Sequence, residues 1–150
     1  MNPLALEQLI VVQLANYINK NKSKIKLPCE IVIEEKESGG EQLTLQTLPG
    51  GKIIKQYVDG GYIGNFPFAA RYQLSKAQIN GEYAKLDAPL WNLDSFFTNR
   101  KITFPPSRSG GSAIIQSIQM TGLPYSFSRE SDGTASNQAV FNLRYYNDGR

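Results

Sequence analysis

The sequence predicts an α+β protein: a mainly antiparallel β-sheet with an N-terminal helix and a long central helix packed on one face. Three observations lead there. Phe66, Phe68, Ala70, Tyr72 and Leu74 alternate strictly with Pro67, Ala69, Arg71 and Gln73, the pattern of a strand with one buried face. Directly afterwards the period changes. Ile79, Tyr83, Leu86, Leu90, Leu93 and Phe97 recur at steps of four and three, the apolar stripe of an amphipathic helix. Much of the remaining chain consists of short alternating runs separated by glycine-bearing turns.

At the N-terminus, Asn2 before Pro3 is a helix start, an N-cap followed by proline at the first helical position. Leu4, Leu6, Leu9, Ile10, Leu14, Tyr17 and Ile18 then fall on one helical face, which predicts a helix over residues 3–21. It fades into the Asn- and Lys-rich run after residue 18, where cations suit a helix C-terminus. Strands are expected at residues 29–36 and 41–48, with Glu37-Ser38-Gly39-Gly40 as the turn between them. Pro49-Gly50-Gly51 breaks the second, residues 52–58 form a third, and Asp59-Gly60-Gly61 turns into the strand at 66–74. This half therefore reads as antiparallel strands joined by tight turns.

Ser75 is placed as the N-cap of the central helix. Gly81 and Pro89 disfavour one straight helix, Pro89 by about 3 kcal/mol if interior, so a kink or break is expected near Ala88 although the stripe stays in phase. Residues 103–111, with Pro105, Pro106, Gly110, Gly111 and Arg108, read as a loop long enough to do work. Alternation around Ile114–Met120 and Ala139–Tyr146 predicts two closing strands, with an extended piece, a short strand at 125–129 and a polar turn between them.

The 150 residues suit one domain, and such a chain buries roughly 70 % of its unfolded surface, enough for a core without staples. The net charge of +3 is spread along the chain, whereas a dedicated nucleic-acid binder concentrates it. The single cysteine, Cys29, has no partner for an intramolecular disulfide, which suits a reducing compartment, and it reads as a small buried hydrophobe. With no histidine, His-based acid/base chemistry, Ser-His-Asp and Cys-His nucleophiles and His metal sites are excluded. No apolar stretch approaches the roughly 20 residues of a membrane span, and no basic segment precedes the first apolar run, so a soluble, cytosolically made protein is expected.

Glu34, Glu35, Glu37 and Glu41 cluster around the first expected hairpin. Their spacing matches no cation-binding loop, and a solvated, charged sheet edge accounts for them. The paired glycines likewise read as turns, since none precedes Lys-Ser or Lys-Thr in a βαβ unit. Arg100, Lys101 and Arg108, with Phe104 close by, form a modest basic loop suited to phosphate contacts or to a subunit contact.

The strand Phe66-Pro67-Phe68-Ala69-Ala70-Arg71-Tyr72, the helix with Leu86, Leu90, Leu93 and Phe97, and the ending carry a resemblance. That ending is Ser131-Asp132-Gly133 followed by Gln138-Ala139-Val140-Phe141-Asn142-Leu143-Arg144-Tyr145-Tyr146. In these segments and in the order of elements, nearly the whole chain resembles the tail terminator proteins of long-tailed bacteriophages, some of them labelled minor capsid proteins. The resemblance implies a structural virion protein, assembled in the host cytoplasm and located at the head–tail interface. It would form a homohexameric ring that caps the tail tube, ends its growth and receives the head–tail connector protein. DNA would pass through the lumen without sequence readout, and no catalysis, cofactor or metal is implied. A stopper or completion protein of the same joint, or a small nucleic-acid-binding module, are the alternatives. Tyr57, Tyr62, Phe66, Arg100, Lys101, Phe104 and Arg108 are the expected subunit or partner contacts, on the hairpin at 57–66 and the loop at 103–111.

Overall fold

The computed structural model describes residues 3–33, 40–98, 102–103 and 113–148. In chain order these form α1 (Pro3–Lys20), α2 (Lys22–Ile25), β1 (Ile31–Val32), β2 (Gln42–Thr47), β3 (Lys52–Gln56), β4 (Tyr62–Leu74) and α3 (Lys76–Ile79). A 3-10 turn (Tyr83–Leu86) follows, then α4 (Ala88–Phe97), β5 (Ile102–Thr103), β6 (Ala113–Met120), β7 (Tyr125–Arg129) and β8 (Ala135–Asn147).

The spine of the sheet is the antiparallel pair β4–β8, in register from Tyr62 opposite Asn147 to Leu74 opposite Ala135. Each strand has 13 residues, so at about 3.4 Å per residue the pair runs roughly 40 Å. Along its length each spine strand has two neighbours on its outer side. β3 lies beside the Tyr62–Asn65 end of β4 and β2 beside residues 68–73. β6 lies beside the Asn147 end of β8 and β7 beside the Ala135 end. Pro67 explains why β2 and β3 are separate strands. Leu48 N–H donates to the Pro67 carbonyl at 3.0 Å, but proline has no N–H to return, and pairing stops there before resuming with β3.

The even-numbered β4 residues from Phe66 to Leu74 are buried in one core with Leu43 and Leu45 of β2, Ile115 and Ile118 of β6, and Ala139, Phe141 and Leu143 of β8. Leu6, Ile10, Leu14 and Ile18 of α1 and Leu90, Leu93 and Phe97 of α4 pack into the same cluster. At its centre the Phe141 ring stacks on Phe68 at 5.3 Å and meets Phe97 edge-on at 5.4 Å, geometries that aromatic quadrupoles favour.

The expected long central helix does not form. Ser75 starts a helix with a full capping box, donating its own N–H to Gln78 Oε1 and accepting from Gln78 N–H. One turn later Asn80 and Gly81 take left-handed φ values of 46° and 76° and end it. Pro89 lies in the first turn of α4, where its missing N–H would have no partner in any case. Pro89 therefore opens a separate helix rather than kinking a continuous one. The apolar stripe survives the interruptions, with Ile79, Leu86, Leu90, Leu93 and Phe97 all buried, whereas Tyr83 is exposed.

The first expected hairpin also changes. β1 has two residues and runs parallel to β2, with Ile31 opposite Leu43. The Asn19 side-chain amide takes both main-chain groups of Ile31, accepting from its N–H at 2.8 Å and donating to its carbonyl at 2.9 Å. Those two bonds tie β1 to α1. A parallel neighbour needs a crossover rather than a tight turn. The expected turn residues Glu37, Ser38 and Gly39, and the carboxylates of Glu34 and Glu35, lie outside the described residues.

Candidate interaction surface

From Gly51 to Gly60 every residue is exposed, although the segment is regular β-hairpin for much of its length. The local sequence explains this. Lys52-Ile53-Ile54-Lys55 does not alternate, so no face of β3 can be wholly apolar, and the register slips between Ile53 and Lys55 as a bulge. Ile53, Ile54, Tyr57 and Val58 are all exposed, Val58 completely at 110 %. The tip is nevertheless fixed. Tyr57 N–H donates to the Gly61 carbonyl at 2.8 Å and Gly61 N–H donates to Asp59 Oδ1 at 2.9 Å. Gly60 supplies the φ of 94° that the turn requires. The Tyr57 ring rests edge-on against Tyr146 at 6.1 Å, with Lys55 Nζ 5.1 Å from its centroid.

The base of this arm is packed on Tyr145. Tyr62 and Phe66 both meet the Tyr145 ring edge-on at 6.0 Å. Gly64 lets the ring approach, since a Cβ there would lie 2.7 Å from the Tyr145 hydroxyl. Burial pushes the Tyr145 phenol well above its ordinary pKa, reinforced by its hydrogen bond with Tyr62. Glu7 of α1 lies against Gly51, and burial raises its carboxyl as well.

A second exposed apolar patch lies toward the other end of the spine. Tyr125 and Phe127 are exposed there and again are held, and Leu123, just before β7, is exposed as well. The Arg71 guanidinium stacks 3.4 Å from the Phe127 centroid. Arg71 donates to Gln138 Oε1 through Nε at 3.2 Å and Nη2 at 2.9 Å, and Gln138 Nε2 donates to the Tyr125 hydroxyl at 2.6 Å. The adjoining turn carries Glu130 and Asp132, and the Thr134 N–H that donates to Asp132 at 2.9 Å holds that carboxyl below its usual pKa. Arg129 donates to the Ser128 and Ser136 carbonyls and to Asn137 Oδ1, and faces the Tyr83 ring at 5.2 Å.

The chemistry away from these patches is quiet. Tyr72 donates to Glu41, and burial followed by that bond raises the phenol above its ordinary pKa. Cys29, half-buried against the core, has its thiol pushed up to about 11 by burial and by the nearby Glu41 carboxylate, so at neutral pH it is not a thiolate nucleophile. Among the described residues no group of three or more His, Cys, Asp or Glu could hold a metal ion, and no helix is long and apolar enough to cross a membrane.

Of the expected contact residues, Tyr57 is exposed on the arm and Tyr62 is half-buried at its base. Phe66 is a correction: it is fully buried against Tyr145 and belongs to the core, because its place in the alternation puts it on the helix-covered face. Arg100, Lys101, Phe104 and Arg108 lie outside the described residues. Ile53, Ile54, Leu123, Tyr125 and Phe127 are exposed outside the expected contact segments, and Val58 is exposed within the expected hairpin. The broken alternation at Lys52-Ile53-Ile54-Lys55 is the one sequence signal for the first two. No protein-family model matches the chain, and no curated protein matches it.

Proposed function

We propose that this chain is a structural virion protein that assembles into a ring, caps the tail tube of a long-tailed bacteriophage, ends tube growth and forms the joint to the head connector. The observation that carries the reading is the arm. Ten consecutive exposed residues, ordered by internal contacts and bearing Ile53, Ile54, Tyr57 and Val58, make a surface suited to protein contact. The order of elements adds to it: an N-terminal helix, a block of strands, a long strand leading into the helical segment, and a long closing strand. The mechanism is geometric. Copies meet by heterologous contacts that close on rotation, one rim of the ring matches the last ring of the tube, and the other rim receives the connector. DNA passes through the lumen and feels only its charge.

The test is native mass spectrometry of the purified chain, alone and mixed with tail tubes, with electron microscopy of the mixture. Six-fold rings seated on tube ends are expected. A strict monomer at every concentration, tubes included, would overturn the reading. Co-purification with the portal complex rather than with tube protein would reassign the chain to a stopper or completion role at the same joint.

A further inference from the structure

We propose that Asn80-Gly81 is a site of spontaneous backbone modification, at which the folded chain converts Asn80 to a mixture of aspartate and isoaspartate through a cyclic imide. The proposal is independent of the ring reading.

The chain has one Asn–Gly pair, Asn80-Gly81, and the described residues hold two Asp–Gly pairs, Asp59-Gly60 and Asp132-Gly133. Glycine carries no Cβ to hinder its nitrogen, so at each pair the glycine nitrogen is a candidate to attack the preceding side-chain carbonyl carbon. The structure separates the three. Gly60 N–H donates to the Tyr57 carbonyl at 3.1 Å, and Gly133 N–H donates to the Glu130 carbonyl at 3.1 Å. Both nitrogens are thereby held in their turns. Their electrophiles are engaged too: Asp59 accepts from Gly61 N–H and Asp132 from Thr134 N–H, each at 2.9 Å. A carboxyl group is also ionised at neutral pH, and a carboxylate resists nucleophilic attack.

At Asn80-Gly81 neither reactant is engaged. Among the described residues the Gly81 N–H and the Asn80 side-chain amide have no hydrogen-bond partner. Both residues are exposed, and a Cβ built on Gly81 would meet nothing within 4 Å. Solvent base and the growing ring therefore have room. Asn80 caps α3 with φ 46° and ψ 45°, and closing the ring requires that ψ to rotate. A helix of four residues is too short to hold its own end rigidly. The neighbouring turn bonds, Asn80 N–H to the Lys76 carbonyl and Glu82 N–H to the Ile79 carbonyl, do not use the Gly81 nitrogen.

The step balances with water alone. The Gly81 nitrogen gives its proton to solvent hydroxide and bonds to Asn80 Cγ. The Cγ–Nδ2 bond breaks, and Nδ2 takes up a proton and leaves as ammonia. Water then opens one of the two imide carbonyls. Opening at the main-chain carbonyl leaves the chain running through Cγ, one backbone carbon longer, as isoaspartate. Opening at Cγ gives ordinary aspartate. The longer product falls between Ile79 and Leu86, both buried in the core, so it strains packing that ordinary aspartate leaves alone.

The test ages the full-length chain in mildly alkaline buffer, folded and in urea, and follows each site by peptide mapping with isoaspartyl methyltransferase labelling. Folding should slow conversion at Asn80 by less than about threefold, and should slow isomerisation at Asp59 and Asp132 at least tenfold, because their turn hydrogen bonds must first open. A larger slowing at Asn80, or equal protection at all three sites, overturns the proposal. So does loss of the amide from the folded Asn80→Gln variant at the rate of the parent, since glutamine cannot form the same ring. Aged protein enriched in isoaspartate should also melt below the Asn80→Asp variant, which carries the charge without the extra backbone carbon. Equal melting would overturn the link to the core.

Discussion

Replacing Pro89 by alanine distinguishes two descriptions of the segment that follows β4. Were Pro89 inside one continuous helix, its removal would relieve a steric clash and restore a hydrogen bond, a gain of about 3 kcal/mol. In the structure Pro89 lies in the first turn of α4, where neither penalty exists, and its ring is buried. The substitution then has only losses. Alanine gives up about two methylene groups of buried apolar surface, at about 0.8 kcal/mol each. It also loosens the unfolded chain, worth another ~0.4–1 kcal/mol. The expected result is a destabilisation of about 2 kcal/mol, a substantial share of the roughly 5–15 kcal/mol that holds a domain together. At a typical urea slope of about 2 kcal/mol per molar the midpoint should fall by about 1 M. Urea unfolding followed by far-UV circular dichroism reads this directly. A rise in stability of 1 kcal/mol or more would mean that the proline interrupts a helix that would otherwise run on.

Two other substitutions probe the base of the arm. Gly64→Ala places a Cβ 2.7 Å from the Tyr145 hydroxyl and 2.8 Å from Cζ. The buried ring has no room to retreat, so about 1–3 kcal/mol should be lost, and a thermal melt indistinguishable from the parent would refute the close approach. Glu7 gives a pH test. Burial raises its carboxyl above the ordinary carboxylate range in the folded state, so the folded chain holds that proton more tightly than the unfolded chain does. The stability linked to it is complete below about pH 4.5 and declines as pH rises through the folded-state pKa. Glu7→Gln should therefore raise the melting temperature at neutral pH and leave it unchanged near pH 4. An equal gain at both would show that desolvation of the carboxylate is not the cause.

The parts of the fold legible in the sequence are those where one local rule acts alone. The two-residue period of Phe66 to Leu74 and Ala139 to Tyr145 marks the buried face of both spine strands, and Ser75 caps a helix where the N-cap was expected. The short strand at 125–129 stands where the alternation put it. The misreadings come from competition between rules. The stripe from Ile79 to Phe97 stays in phase because both helices must face the same core, and that continuity masked a backbone break at Asn80-Gly81. β1 is held by Asn19, twelve residues earlier, and the local pattern of the strand carries no trace of that contact. The arm was half visible. Tyr57 stood out as an aromatic beside a turn, but Ile53, Ile54 and Val58 look like core residues until the bulge in β3 is known.

The same two-residue period divides the work of the sheet. Tyr145 and Tyr146 are neighbours on β8, yet Tyr145 closes the core under the arm while Tyr146 faces the other side and props Tyr57. Tyr72 and Arg71 repeat the division on β4: Tyr72 is buried with Leu43 and Leu74, and Arg71 stacks on the exposed Phe127. Odd and even positions of one strand thus serve stability and presentation separately. A change on the helix-covered face must first be felt as lost packing. A change on the opposite face leaves the core intact and alters how firmly the aromatic patches at the two ends of the spine are held. Because the spine is continuous through thirteen rungs of pairing, those patches keep a fixed separation and orientation in every copy. The ring proposed above would need such fixed geometry, since an error in the angle of each contact accumulates around the circle.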